Sequence, residues 1–264
     1  MRKLWAGLAA AGVCLVAVLM APISHAAGTA NFSDFARAIR SNDLTTLRKL
    51  ASDPGAANLP NKLKDTPLHY AALYGSPEAI RILLAGGADP KARNQAGASP
   101  LVYAAWNFER TRLLVESGAA VNGAENGGVT PLMVALSVDG NGGTVRYLVD
   151  KGADVRARNR LGGDALMRAA AMSDADMLRI LLAKGADAHL ADRAGDSALQ
   201  NATAFPDYER VRILLAAGAD PNQLNTFGGA VRKGPIALVH LSTLMFAAPY
   251  GSDETVAGLL KAGA

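Results

Sequence analysis

The sequence is short of nearly every side chain that performs covalent or metal chemistry. Its 264 residues include one cysteine, Cys14, and four histidines. A lone thiol forms no intrachain disulfide and no thiolate cage, so a cross-linked mini-domain and a cysteine-based zinc site are excluded. Beyond residue 26 the histidines are His69, His189 and His240, widely separated, and no HExxH, GxSxG, P-loop, SxxK or CxxCH spacing occurs. These absences predict a protein that is not an enzyme and that carries no cofactor or metal. Charge is also sparse, at 19% of residues with a net +4. So weak a field argues against a nucleic-acid partner. Aromatic residues make up only 5% of the chain, so wherever they gather is informative.

What is present begins with a basic, then apolar, N-terminus. Arg2 and Lys3 precede an apolar run from Leu4 to Met20, closed by Pro22 and the small-residue stretch Ser24-His25-Ala26. This pattern predicts a signal peptide over residues 1–26, cleaved after Ala26. The alternative is an uncleaved anchor, but 17 residues rich in Ala and Gly sit at the lower edge of the about 17–25 that span a bilayer. Cleavage leaves no cysteine and removes two positive charges, so +4 becomes +2. It predicts a periplasmic or secreted protein with no membrane attachment.

The remainder repeats itself. Arg81-Ile-Leu-Leu-Ala-Gly-Gly-Ala-Asp89 recurs as Arg179 to Asp187 and as Arg212 to Asp220, with looser copies from Arg112 and Arg146. Upstream, Thr66-Pro-Leu-His-Tyr-Ala-Ala recurs from Ser99 and Thr130, and more loosely from Ser33, Asp164, Ser197 and Ser242. These seven anchors are spaced by 33, 33, 31, 34, 33 and 45 residues, and five of the six Arg-to-anchor steps are 18 residues long. Each anchor predicts a helix N-cap, with Pro67, Pro100 and Pro131 at the first helical position. Leu68, Ala71 and Ala72 share one face of that helix, and Ile80, Leu83 and Leu84 one face of the next. Gly87 marks a left-handed C-cap. A second glycine (Gly97, Gly128, Gly162, Gly195) two residues before the next cap suits a hairpin arm.

A period near 33 carrying T-P-L-H-x-A-A, then L-L and G-A-D, resembles the ankyrin repeat across nearly all of residues 31–264. The resemblance implies an all-α solenoid of about seven helix-turn-helix units joined by β-hairpin arms, filling residues 27–264. The units fall near 31–63, 64–96, 97–127, 128–161, 162–194 and 195–239, with an incomplete one at 240–264. It assigns His69 a structural place in the cap. It also implies binding of another protein through the concave inner-helix face and the arms.

Three surface features are candidates for that binding. The fourteen positions seven and eight residues after each anchor hold Tyr74, Trp106, Phe205 and Tyr250, where chance would place fewer than one of the 13 aromatics beyond residue 26. Met172 adds a soft apolar side chain. Such residues form interface hot spots, although at helical spacing they can equally brace the stack. The second feature is the 12-residue lengthening between Arg212 and Ser242, where Phe227, Arg232 and Lys233 are the expected contacts and Ile236 to Val239 a short strand. The third is a basic tint to the other arms, from Lys62, Lys64, Lys91, Arg93, Arg156, Arg158, Arg160 and Arg193, diluted by Asp65, Glu125, Asp192 and Asp196. An alternative from another class makes the chain the docking or sensing portion of a longer exported enzyme or c-type cytochrome-like protein, truncated at residue 264. Oligomeric state is not legible.

Overall fold

The computed structural model describes residues 30–172, 175–205, 207–225, 229–230, 237–238, 241–249 and 251–264. The predicted signal peptide, 1–26, lies outside them. Among the described residues no helix is long and apolar enough to cross a membrane. The chain divides into two units, residues 1–89 and 90–264.

The first unit holds two helix pairs: α1 (Phe32–Arg40) with α2 (Leu44–Ala51), and α3 (Pro67–Tyr74) with α4 (Pro77–Ala85). Its core is Phe35, Ile39, Leu47, Leu68, Ile80 and Leu83, all fully buried. The predicted face of α3 is buried as expected. On α4, Ile82 goes inside and Leu84 is only half-buried, because Ala79, Ile80, Ile82 and Leu83 wrap a wider apolar arc than a single stripe. The anchor at Ser33 also shifts. The helix begins two residues earlier, capped by Asn31, whose carboxamide accepts the Ser33 and Asp34 amides at 2.9 and 3.3 Å. Packing nonetheless keeps the Ser33 register, since Phe35 and Ala38 are buried just as Leu68 and Ala71 are.

The second unit repeats the pairing: α5 (Pro100–Ala104) with α6 (Phe108–Glu116), α7 (Pro131–Ala135) with α8 (Gly142–Asp150), α9 (Ala165–Met172) with α10 (Ala175–Ala183), α11 (Ala198–Thr203) with α12 (Tyr208–Ala216), and α13 (Thr243–Ala247) with α14 (Asp253–Lys261). One continuous apolar core runs through it, from Ala105 to Leu259.

The caps follow the chemistry of their residues. His69 is buried, and its Nδ1 accepts the Thr66 amide at 3.1 Å while lying 2.9 Å from the Thr66 hydroxyl. In the degenerate copy Gln200 takes the same place, accepting the Ser197 amide at 2.9 Å. Ser99 sits at the N-cap but its hydroxyl caps nothing. Asp164 replaces the usual hydroxyl residue; it is 4% exposed and accepts the Met167 amide at 2.8 Å. Burial pushes its carboxyl above the ordinary range, against the pull of the Met167 amide and Arg158. A raised folded pKa means that the fold favours the protonated acid, so stability falls as pH climbs past the ordinary Asp value of about 3.9. Asp164→Thr therefore raises the melting temperature at neutral pH. That gain shrinks as pH drops toward about 4, which paired thermal melts at the two pH values measure; a gain independent of pH would refute it.

Each arm is locked at its base by one polar side chain. Asn94 donates its amide to the Ala98 carbonyl at 3.1 Å, and its carboxamide accepts the Ala98 amide at 3.0 Å. Asn61 with Asp65, Glu125 with Val129, Asn159 with Gly163 and Asp192 with Asp196 repeat the same two bonds. In the lengthened arm the lock is Asn225 with Leu241, at 3.2 and 2.9 Å. The extra residues are thus strung between lock partners. Within them Gly229–Ala230 pairs antiparallel with Ala237–Leu238, inside the predicted strand 236–239.

Successive arms of the second unit are tied by backbone. The Asn126 amide donates to Ala96, Arg160 to Gly127 and Arg193 to Leu161, at 2.7 to 2.8 Å. Gly128 makes room for this. At φ +81° it holds a conformation that costs an L-residue strain, and a Cβ there would meet the Asn159 Cα at 2.9 Å and the Arg158 carbonyl oxygen at 3.1 Å. Gly118 is equally left-handed at φ +91° but faces open space. Gly118→Ala should cost about 1 kcal/mol of strain and Gly128→Ala clearly more, because backbone cannot retreat as a side chain can. Urea midpoints of the two variants compare them; equal losses would refute the steric account.

Candidate binding surface

The predicted surface residues divide by unit. Tyr74, the last residue of α3, is 45% exposed. Its ring lies 4.8 Å from Tyr70, which also meets Phe32 edge-on at 5.7 Å. The Arg40 guanidinium spans both tyrosines, 5.2 Å from Tyr70 and 5.5 Å from Tyr74.

In the second unit Trp106 follows α5 and is 39% exposed, with the Arg110 guanidinium 4.6 Å over its ring. Phe205 is half-buried beneath Arg210 at 4.7 Å. Arg210 is fixed from two more sides, by Asp207 at 3.3 Å and by the Ala170 carbonyl at 3.3 Å. Met172, half-buried at the end of α9, lines a cleft of about 240 Å³ with Val138, Met177 and Arg210. The structure therefore joins Val138, Met172 and, through Arg210, Phe205. Tyr250, Phe227, Arg232 and Lys233 lie outside the described residues.

In each unit a further aromatic residue is not singled out by the sequence pattern. Tyr70 and Tyr103 lie four residues after their anchors, one helical turn before the aromatic positions. The signal was available, since i and i+4 share a helix face. Tyr103 receives a 2.9 Å hydrogen bond from Asn94, which ties the face to an arm. On the outer helices Phe108, 44% exposed, meets Tyr147 edge-on at 5.7 Å.

The basic arms change meaning. Arg93 donates to the Ala124 carbonyl, Arg156 to Gly185 at 2.7 Å and Arg158 to Gly162 at 2.7 Å and to Ala191. These guanidiniums fasten arms by satisfying carbonyls and keep their charge while doing so. The repeat-marking arginines have a structural use as well. Arg48 pairs with Glu78 at 3.1 Å and Glu78 with Arg81 at 3.5 Å. Farther on, Arg146, Asp176, Arg179, Glu209 and Arg212 form a chain of ion pairs along the outer helices. Exposed pairs of this kind each stabilise little. The wider hollow of about 550 Å³ beside α2 and α4 is lined by Arg48, Glu78 and Arg81 and holds none of the predicted surface residues. Among the described residues no group of three acidic, His or Cys side chains could hold a metal.

In each unit, recurring helix pairs and arms locked by one polar side chain define a tandem-repeat helical solenoid fold. Three overlapping matches to the family described as ankyrin repeats cover residues 35–122, 87–159 and 132–225. The chain belongs to the ankyrin repeat family. It is 32% identical over 123 residues to human NF-kappa-B inhibitor alpha, and 38% identical over 106 residues to human ankyrin repeat and SOCS box protein 6. These matches take in 44% and 37% of this chain but only 38% and 25% of the relatives' lengths. Among solved structures, the ankyrin repeat domain of Bcl-3 superposes with a TM-score of 0.65 and 26% identity, over 86% of this chain and 97% of that one. The human ASB11 ankyrin repeat domain shares the fold, with a TM-score of 0.67 and 22% identity over 87% of this chain and 97% of that one. Ankyrin repeat domains serve as protein-binding scaffolds.

Proposed function

We propose that this chain is a non-enzymatic scaffold of the periplasm or cell exterior that holds another protein on its inner-helix face and arms. The observation that carries this is the state of Tyr74 and Trp106. Both rings are more than one-third exposed, and each is held in place by an arginine from the neighbouring turn or helix. A packing residue is normally buried, whereas a rigid exposed ring is what an interface core consists of. Membership of a family of binding scaffolds supports the same reading, and the signal-peptide pattern of residues 1–26 supports the location.

The test expresses the full chain in its source cell with a photo-crosslinking phenylalanine analogue at position 74 or 106. A protein cross-linked from either position but not from an outer-helix position such as Lys49, together with a mature N-terminus at Ala27, is the expected result. No cross-linked protein from either ring position would end the binding reading. An intact Met1 on protein retained in the cytoplasm would end the exported one.

A further inference from the structure

The sequence places asparagine before glycine three times, at Asn122-Gly123, Asn126-Gly127 and Asn141-Gly142. In such a pair the glycine amide nitrogen can attack the carboxamide carbon Cγ of the asparagine, because no Cβ stands in its way. The new N–C bond closes a five-membered imide, the bond from Cγ to Nδ2 breaks, and the amide proton leaves with Nδ2 as ammonia. Water then opens the ring at either carbonyl and leaves aspartate or its backbone-shifted isomer, isoaspartate. In a folded chain the reaction waits until both groups are free of their hydrogen bonds, so those bonds set the order of the pairs.

All three pairs lie in the second unit, and they are held very differently. The Asn122 carboxamide donates to the Gly152 carbonyl at 3.0 Å and accepts the Asp154 amide at 2.8 Å, while the Gly123 amide donates to the Ala120 carbonyl at 3.0 Å. Asn141 is half-buried. Its carboxamide donates to the Ala105 and Ala135 carbonyls at 2.9 and 3.1 Å and accepts the Thr144 hydroxyl. Three bonds thus restrain the reacting groups of each of these pairs. Asn126 is exposed, and among the described residues its carboxamide makes one bond, a donation to the Gln95 carbonyl at 3.2 Å. The Gly127 amide meets no acceptor among them.

We propose that Asn126 is a site of spontaneous modification, converted to aspartate and isoaspartate by attack of the Gly127 amide well ahead of Asn122 and Asn141. The conversion loosens one rung between neighbouring arms. Asn126 joins its own arm to the one locked by Asn94 in two places, through its backbone amide on Ala96 at 2.8 Å and its carboxamide on Gln95. A carboxylate has no proton to donate and faces the Gln95 carbonyl as acceptor against acceptor. Isoaspartate also lengthens the main chain by one carbon at the residue whose amide holds Ala96. Because these ties must open before the ring can close, the folded chain reacts more slowly than the unfolded one.

The purified full chain, aged in mildly alkaline buffer and mapped by peptide mass spectrometry with electron-based fragmentation, reads the three positions separately. Position 126 should convert at least about tenfold faster than 122 or 141, the scale of two hydrogen bonds. In urea the three rates should draw together and position 126 should speed up. Asn126→Asp supplies one product directly, with a thermal melt confirming its fold. Its amide exchange at residue 126 and across 94–98 should quicken by about threefold or more, the scale of one exposed hydrogen bond, while 192–196 keeps its rate. Position 122 or 141 converting as fast as 126 in the folded chain, or the same spread of rates in urea, would overturn the site. Unchanged exchange in Asn126→Asp would overturn the loosening.

Discussion

Leu166→Ala should lower the stability of the second unit by about 2–5 kcal/mol, the range for emptying a well-packed leucine site. Leu166 is fully buried in α9, which packs against α7, α10 and α11. The backbones around it belong to regular helices and cannot collapse into the hole, so the cost should fall toward the upper half of that range. In a repeat array the loss is felt at the interfaces either side and not only within one unit. Urea denaturation followed by circular dichroism should show a lower midpoint, or a split transition if neighbouring repeats uncouple. A midpoint within error of wild type would show that the helix pairs are not the source of stability.

The second large effect concerns binding and should leave stability nearly alone. Tyr74→Ala with Trp106→Ala should weaken capture of the cross-linked partner at least about 30-fold, since hot-spot aromatics each contribute about 2 kcal/mol or more on truncation. Trp106→Ala alone should cost no more than about 1 kcal/mol of folding free energy, because a ring 39% exposed loses mainly its stacking with Arg110. Calorimetry of the single variant and quantitative capture by the double variant separate the outcomes. A loss of several kcal/mol in the melt, with binding unchanged, would make the ring a structural brace and sink the interface.

The ease with which parts of this molecule can be read from sequence follows the range of the interactions. Caps and helix faces are set within four residues, so Thr66 with Pro67 and Leu68 with Ala71 announce themselves. The lock residues Asn61, Asn94, Asn159 and Asp192 lie five before their anchors and are as regular as the arginines. Their meaning rests on a bond pattern that periodicity alone does not convey. The arm arginines are half legible: their charge is read directly, whereas the carbonyls that Arg93, Arg156 and Arg158 meet lie 31, 29 and 33 residues away along the chain. The start of α1 is displaced because Asn31 and Asp34 form a capping box of their own, and local capping wins over repeat register when the two differ by less than one turn. The cleft is the least legible element. It gathers Val138, Met172, Met177 and Arg210 from three successive repeats, and only Met172 stands out in one dimension.

The arm locks have a practical side. Asn225 and Leu241 keep the same two bonds that Asn94 makes with Ala98 although 12 more residues separate them. Base geometry is therefore kept across two tip lengths, and one arm of this chain already carries a long insert above its lock. The tips between 61 and 65, 94 and 98, 125 and 129, 159 and 163, and 192 and 196 offer five more ports into which an epitope tag or a designed recognition loop can be grafted. Such a graft would leave the lock pair as its stem and the stacked helices undisturbed.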